Sequence, residues 1–241
     1  MKQILYLMTL MISVVLISSC VPEDEDGEPD PDDVVTFADY NLERCVRDEM
    51  SEGSSGEVLY YKDVFWLSWL RCAGYGIEKL DGIENMKNLR EAEFGNNKIK
   101  DVTLLGKCVK LEELNLSKNE IEDASPLGSL VNLTSLNIVS NAISDISYVS
   151  NLSELIKFHT SDNPVSNISA VSDLTNLTGL DFYKNEIESI SDIKGLINLI
   201  GISVGDNCIT DFSPIDYLKQ NGKLVNILGD SSDDQDYSRC E

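Results

Sequence analysis

The stretch that decides the fold is LEELNLSKNEIEDASPL, residues 111–127. Its apolar side chains are Leu111, Leu114, Leu116, Ile121, Ala124 and Leu127, with Asn119 set between Leu116 and Ile121. Steps of 22 residues from Asn119 meet Asn97, Asn141, Asn163, Asn185 and Asn207. Six matches of one residue type to one period mark an internal repeat, and periods of about 20–50 residues signal solenoids and related arrays. In such an array each unit covers its neighbour's apolar face, so stability grows by stacking.

The same pattern extends on both sides. Leu67, Leu70 and Cys72 open the series, followed by Leu89, Ala92 and Phe94, then Leu111, Leu114 and Leu116, and so on to Leu199, Ile202 and Val204. Alternation over the last three positions of each set predicts a short strand with one buried face, seven in all. Further apolar positions follow each Asn, as at Ile143 and Ile146, with Pro126 and Pro214 at equivalent places. Too few residues remain for a full helix, so the return side is expected to be a short 3₁₀ turn. The repeated Asn has a physical reason. A turning backbone inside a solenoid leaves N–H and C=O groups unpaired, at about 1–3 kcal/mol each when buried. An amide side chain supplies both donor and acceptor. Such a ladder needs a neighbour, and its ends are irregular: Tyr75 and Gly229 stand one period beyond Asn97 and Asn207. Leu218 still fits the repeat and Asn221 does not, so the final turn reads as a degenerate cap.

The full pattern, L-x-x-L-x-L-x-x-N-x-I-x-D-I with Asp101, Asp123, Asp145 and Asp211 at the Asp position, resembles the internalin-type leucine-rich repeat family of bacterial surface proteins. The resemblance covers about residues 64–229. It implies an α/β right-handed horseshoe with a parallel β-sheet on its concave face, a short 3₁₀ or irregular convex side and an N-terminal helical cap. It also implies protein binding along the concavity. Asn167 and Ser189 depart at the Asp position and Thr160 at an apolar strand position, on neighbouring turns where looser packing is expected. The N-terminal segment with Cys45 differs in detail from the family.

Ahead of the repeats, Lys2 precedes an apolar run over residues 4–17, shorter than the ~20 residues of a membrane-spanning helix and suited to a signal peptide. The run ends in Ile17, Ser18, Ser19 and Cys20, which resembles the bacterial lipobox. That resemblance implies cleavage before Cys20, a thioether-linked lipid on it and acylation of the new amino terminus, enough chains for stable anchoring in the cell envelope. Residues 21–33 carry eight acids, three prolines and no base, the composition of a solvated tether. Asp24, Asp26 and Glu28 alternate, but the Gly and distal Glu of a calcium loop are out of register. A helix is expected over residues 36–50, N-capped by Thr36, with a Gly/Ser loop at 51–56 ending it. The expected organisation is a signal peptide at 1–19, tether at 20–33, N-terminal cap at 34–63, repeats at 64–217, and C-terminal cap and tail at 218–241.

A net charge of −23 over 241 residues argues against nucleic acid, since phosphate backbones need clustered Lys and Arg, so no nucleic-acid partner is expected. Adhesion to anionic lipid is disfavoured for the same reason, which leaves the lipid anchor as the membrane contact. Without Cys20, five cysteines remain. Cys45 lies in the cap and Cys72 on the first repeat; Cys208 follows the last Asn and Cys240 is in the tail. Pairs Cys45–Cys72 and Cys208–Cys240 would staple both ends, at about 2–4 kcal/mol each. Cys108 is then a small buried hydrophobe at a position that Leu130, Leu152, Leu174 and Leu196 fill elsewhere.

Catalysis finds no constellation. His159 is the only histidine, which excludes any triad or metal site needing two imidazoles, and no nucleophile elbow, P-loop or paired-cysteine metal motif is present. No enzyme, cofactor or metal is expected. What remains is a surface of outward strand residues. One column reads Arg71, Glu93, Asn115, Asn137, His159, Asp181 and Ser203; its neighbour reads Trp69, Glu91, Glu113, Ser135, Lys157, Gly179 and Gly201; a third includes Ser117, Ser161, Tyr183 and Gly205. Trp69, Arg71, His159 and Tyr183 stand out because aromatic residues and Arg dominate interface hot spots. Most of the others simply face water. The expected role is a monomeric, lipid-anchored, extracytoplasmic binder of a protein or glycan; an envelope scaffold without an external partner is the alternative. Sequons at Asn115, Asn132, Asn151, Asn167 and Asn176 are incidental if the lipobox is bacterial.

Overall fold

The computed structural model describes residues 29–50 and 58–229. The apolar leader, Cys20, most of the acidic tether, the Gly/Ser loop and Cys240 lie outside those residues.

Strands of three residues recur with the period of the sequence: β3 (Trp69–Arg71), β4 (Glu91–Glu93), β5 (Glu113–Asn115), β6 (Ser135–Asn137), β7 (Lys157–His159), β8 (Gly179–Asp181) and β9 (Gly201–Ser203). They pair in parallel and in register, Glu91 with Glu113 and Leu114 with Leu136, so each repeat position forms a column. The seven expected strands become an eight-stranded sheet, because the degenerate last turn adds β10 (Asn226–Leu228) beside β9.

Six returns are 3₁₀ turns, such as Ser125–Ser129 with Pro126 in its first turn. The return after β9 differs from expectation. Pro214 and Ile215 fall in a true α-helix, Ser213–Asn221. The reason is room: Gly201 pairs with Asn226, a spacing of 25 rather than 22 residues, and the added residues permit i→i−4 bonding.

The Asn ladder is built as its chemistry suggests. The Asn119 amide donates to Phe94 O of the preceding turn and Leu116 O of its own, both at 2.9 Å. Its oxygen accepts from Ile99 N at 3.0 Å. One side chain thus pairs three main-chain groups across two turns, and the other five ladder residues repeat the arrangement. The residue before each ladder Asn is left-handed: Asn96, Lys118, Ser140, Asp162, Lys184 and Asp206 have φ between 52° and 58°. This costs a non-glycine residue about 1 kcal/mol, and turns its N–H toward the next repeat, as Lys118 N does to Val139 O at 2.7 Å.

Two features were not expected. The first is an outer Asn series. Asn88, Asn132, Asn176 and Asn198 each donate to a carbonyl of the preceding turn at 2.8–3.0 Å, so the sequon residues Asn132 and Asn176 have a structural role. The second is that the departures at the Asp position preserve its function. Asp101, Asp123, Asp145 and Asp211 accept from the N–H two residues on; Asn167 and Ser189 do the same at 2.9 and 3.3 Å. Ile168 and Ile190 beside them are fully buried, so the packing there is not loosened. Thr160 is the true irregularity: it is fully buried and its hydroxyl has no partner.

At the N-terminal end, helix α1 spans Tyr40–Glu49, not residues 36–50. Asp39 is the N-cap in place of Thr36. Its Oδ1 accepts from Asn41 N at 2.7 Å, and its Oδ2 accepts from Glu78 N and Lys79 N of the first repeat at 2.6 and 3.0 Å. No hydroxyl could hold three donors, which explains the later start. Residues nearer the terminus instead form β1 (Val34–Val35), antiparallel to β2 (Leu59–Tyr60), which leads into the short α2 (Tyr61–Val64). Leu42, Cys45 and Val46 close the apolar end of the stack, and the Cys45–Cys72 disulfide joins α1 to the first repeat. Cys208 is also disulfide-bonded; its expected partner lies outside the described residues. Cys108 is a buried free thiol, pushed up to about 12 by burial.

Candidate binding face

The outward columns line the concave sheet where alternation puts them. Trp69, Arg71, Glu91, Glu93, Glu113 and Lys157 are exposed on it, and Asn115, Asn137, His159 and Asp181 are half-buried. Tyr183, just after β8, is 43 % exposed and Trp69 49 %, so both residues keep nearly half their surface in solvent. The expected residues do not form one cluster. Trp69 and Arg71 adjoin Glu91, Glu93 and Glu113 at one end, while Lys157, His159, Asp181 and Tyr183 gather toward the other. β3 and β8 are five strand steps apart, about 24 Å.

Several of these side chains have local duties that the sequence did not reveal. Trp69 Nε1 donates to Glu49 Oε2 of α1 at 3.1 Å, which ties the indole to the cap. Asn115 donates to Glu93 at 2.8 Å, and its oxygen accepts from Ser117 N at 2.9 Å. Asn137 and Asp181 likewise accept from Val139 N and Tyr183 N at 3.1 and 3.2 Å. These three residues end their strands in Asx turns. The signal was present in their i+2 spacing to the left-handed corner, but Asn and Asp on a strand face also read as ligand contacts.

Electrostatics sharpen the C-terminal end. Burial alone would raise the Asp181 carboxyl, but His159, the Tyr183 N–H and nearby serine hydroxyls outweigh it and hold Asp181 below the usual carboxylate range. His159 Nδ1 stands 3.9 Å from Asp181 Oδ2. Asp206 beside the Tyr183 hydroxyl raises that phenol above its ordinary value. Lys184 pairs with Asp162 at 2.6 Å. Among the described residues no cluster of His, Cys, Asp and Glu has metal-site geometry, and no helix is long and apolar enough to cross a membrane.

Comparison with known proteins agrees with the architecture. A family model described as leucine rich repeats (two copies) matches residues 87–129. An internalin (inlF) from Listeria monocytogenes str. 4b F2365 superposes with a TM-score of 0.75 at 29 % identity, over 79 % of this chain and 56 % of that one. The chain thus spans little more than half the length of that internalin. Internalin C2 of the same strain gives a TM-score of 0.63 at 26 % identity over 80 % of this chain and 95 % of its own. A leucine-rich repeat protein of Leptospira interrogans, at 20 % identity and TM-score 0.55, covering 62 % of this chain and 39 % of that one, shares the fold. No curated protein matches the sequence. Stacked strands, 3₁₀ returns and the Asn ladder define a leucine-rich repeat fold, and its repeats are similar to those of the two Listeria internalins.

Proposed function

We propose that the protein binds another macromolecule, a protein in the first instance, through the concave sheet, while a lipid on Cys20 holds it to the bacterial envelope outside the cytoplasm. The observation that carries the binding role is the relief of the sheet. Its outward positions carry Glu91, Glu93, Glu113 and Lys157 among shorter polar side chains and glycine, and half-exposed Trp69 and Tyr183, with Arg71, stand on it without entering the core. Solenoids of this kind use such extended concave surfaces for binding, and the similarity to internalins supports that use. The acidic segment after Cys20 would serve as a spacer between membrane and repeats.

The test is a crosslinking pull-down with the full chain, followed by joint replacement of Trp69, Arg71 and Tyr183 with alanine. Anchors of this type contribute ~2 kcal/mol or more apiece, so the captured partner should be lost by at least a hundredfold in affinity, with the melting transition still cooperative. Unchanged affinity would reject the concave face.

A further inference from the structure

Beyond Tyr183 the concave sheet sinks into an open hollow of about 710 Å³. Gly205 and Gly229 line it and bring no side chains to fill it. On the far side β10 rises with Leu228, 69 % exposed. The hollow therefore has an aromatic wall at Tyr183 and an aliphatic wall at Leu228. Its polar groups are the Asp181 and Asp206 carboxylates and the Ser161 and Ser203 hydroxyls, and no cationic side chain lines it among the described residues. His159 flanks Asp181 from outside the lining, and the neighbouring Lys184 is engaged by Asp162. Ser161 is 94 % buried, and its hydroxyl, with that of Ser203, helps to hold the Asp181 carboxyl in its charged form.

We propose that this hollow receives one basic side chain of the partner, arginine in preference to lysine. The inference rests on the concave-face reading and narrows it to one subsite. The two carboxylates match a guanidinium, whose planar fork forms paired charge-assisted bonds. Its stem packs along Leu228, and its plane lies against the Tyr183 ring.

The test uses the full chain and two peptides, acetyl-Gly-Gly-Arg-Gly-Gly-amide and its neutral citrulline counterpart, followed by amide resonances. The arginine peptide should saturably shift Asp181, Tyr183, Ser203 and Gly205, and bind about tenfold more tightly than citrulline. D181N and D206N should together remove that preference while keeping the fold. Asn retains the oxygen that accepts from Tyr183 N, and it tolerates the left-handed backbone of Asp206. Equal affinity for the two peptides overturns the proposal. So do shifts confined to Glu91, Glu93 and Glu113, or none at all; those outcomes leave the wider concave-face reading to its own capture test.

Discussion

At β3 the concave sheet is buttressed and at β9 it is excavated. Trp69 leans on Glu49 of α1 at 3.1 Å, and α1 is in turn bonded to the first repeat through Cys45–Cys72 and the Asp39 carboxylate. Three glutamates, Glu91, Glu93 and Glu113, project beside it from adjoining strands. Toward β9 the same columns hold Gly179 and Gly201, and the carboxylates retreat into a hollow under Tyr183. One repeat template thus yields a raised acidic platform and a recess, with β3 and β9 about 29 Å apart. The scaffold positions are held constant by the core and the Asn ladder. Only the two or three outward residues of each strand vary, so relief is changed one side chain at a time without disturbing the stack.

The contrast can be broken at the buttressed end first. Replacing Cys45 and Cys72 by serine removes a crosslink over a sequence separation of 27 residues, for an expected loss of about 3.5 kcal/mol. Because each turn touches only its neighbours, hydrogen exchange should rise in α1 and β3 and stay slow in β9. Uniform loss along the chain would show that the ends are not independent.

A smaller effect is expected at Asp39. Burial raises its carboxyl, but the N–H groups of Glu78, Lys79 and Asn41 outweigh it, so its pKa in the folded state is lowered. A depressed folded pKa gives stability that is present above the unfolded value, about 3.9, and lost as pH falls through the lower folded value. Asp39→Ala should cost about 1–2 kcal/mol at pH 7. It should also flatten the decline in urea midpoint below pH 4 relative to the unmodified chain.

The smallest change belongs beneath the recess. Thr160→Val removes a fully buried hydroxyl without a partner and keeps the side-chain shape. It should raise stability by about 1 kcal/mol in urea titration. A loss would mean that the hydroxyl is bonded in solution.

The repeat architecture was legible because one Asn recurs without interruption at a position where only an amide serves. Its outer counterpart was not, since Lys110 and Glu154 interrupt the series of Asn88, Asn132, Asn176 and Asn198. The left-handed corner is filled by Asn, Lys, Ser or Asp, so backbone geometry repeats there while residue type does not. Sequence also gave the wrong cap residue, because Thr36 and Asp39 both suit an N-cap, and the choice was made by distant donors at Glu78 and Lys79. Of the binding face, the columns were readable and the relief was not. The recess depends on β10, which comes from a turn of 25 residues that breaks the period. Similarly, Asn115, Asn137 and Asp181 looked available on the surface but bond their own backbone.

The central claim is that the concave sheet, and not the convex side, meets the partner. Hydroxyl-radical footprinting of the full chain with its captured partner tests this most directly. The account predicts that Trp69, His159 and Tyr183 become protected while the exposed convex residues Val109, Val131 and Ile197 keep their reactivity. Protection of those three convex residues, with Trp69 and Tyr183 still reactive, would contradict it.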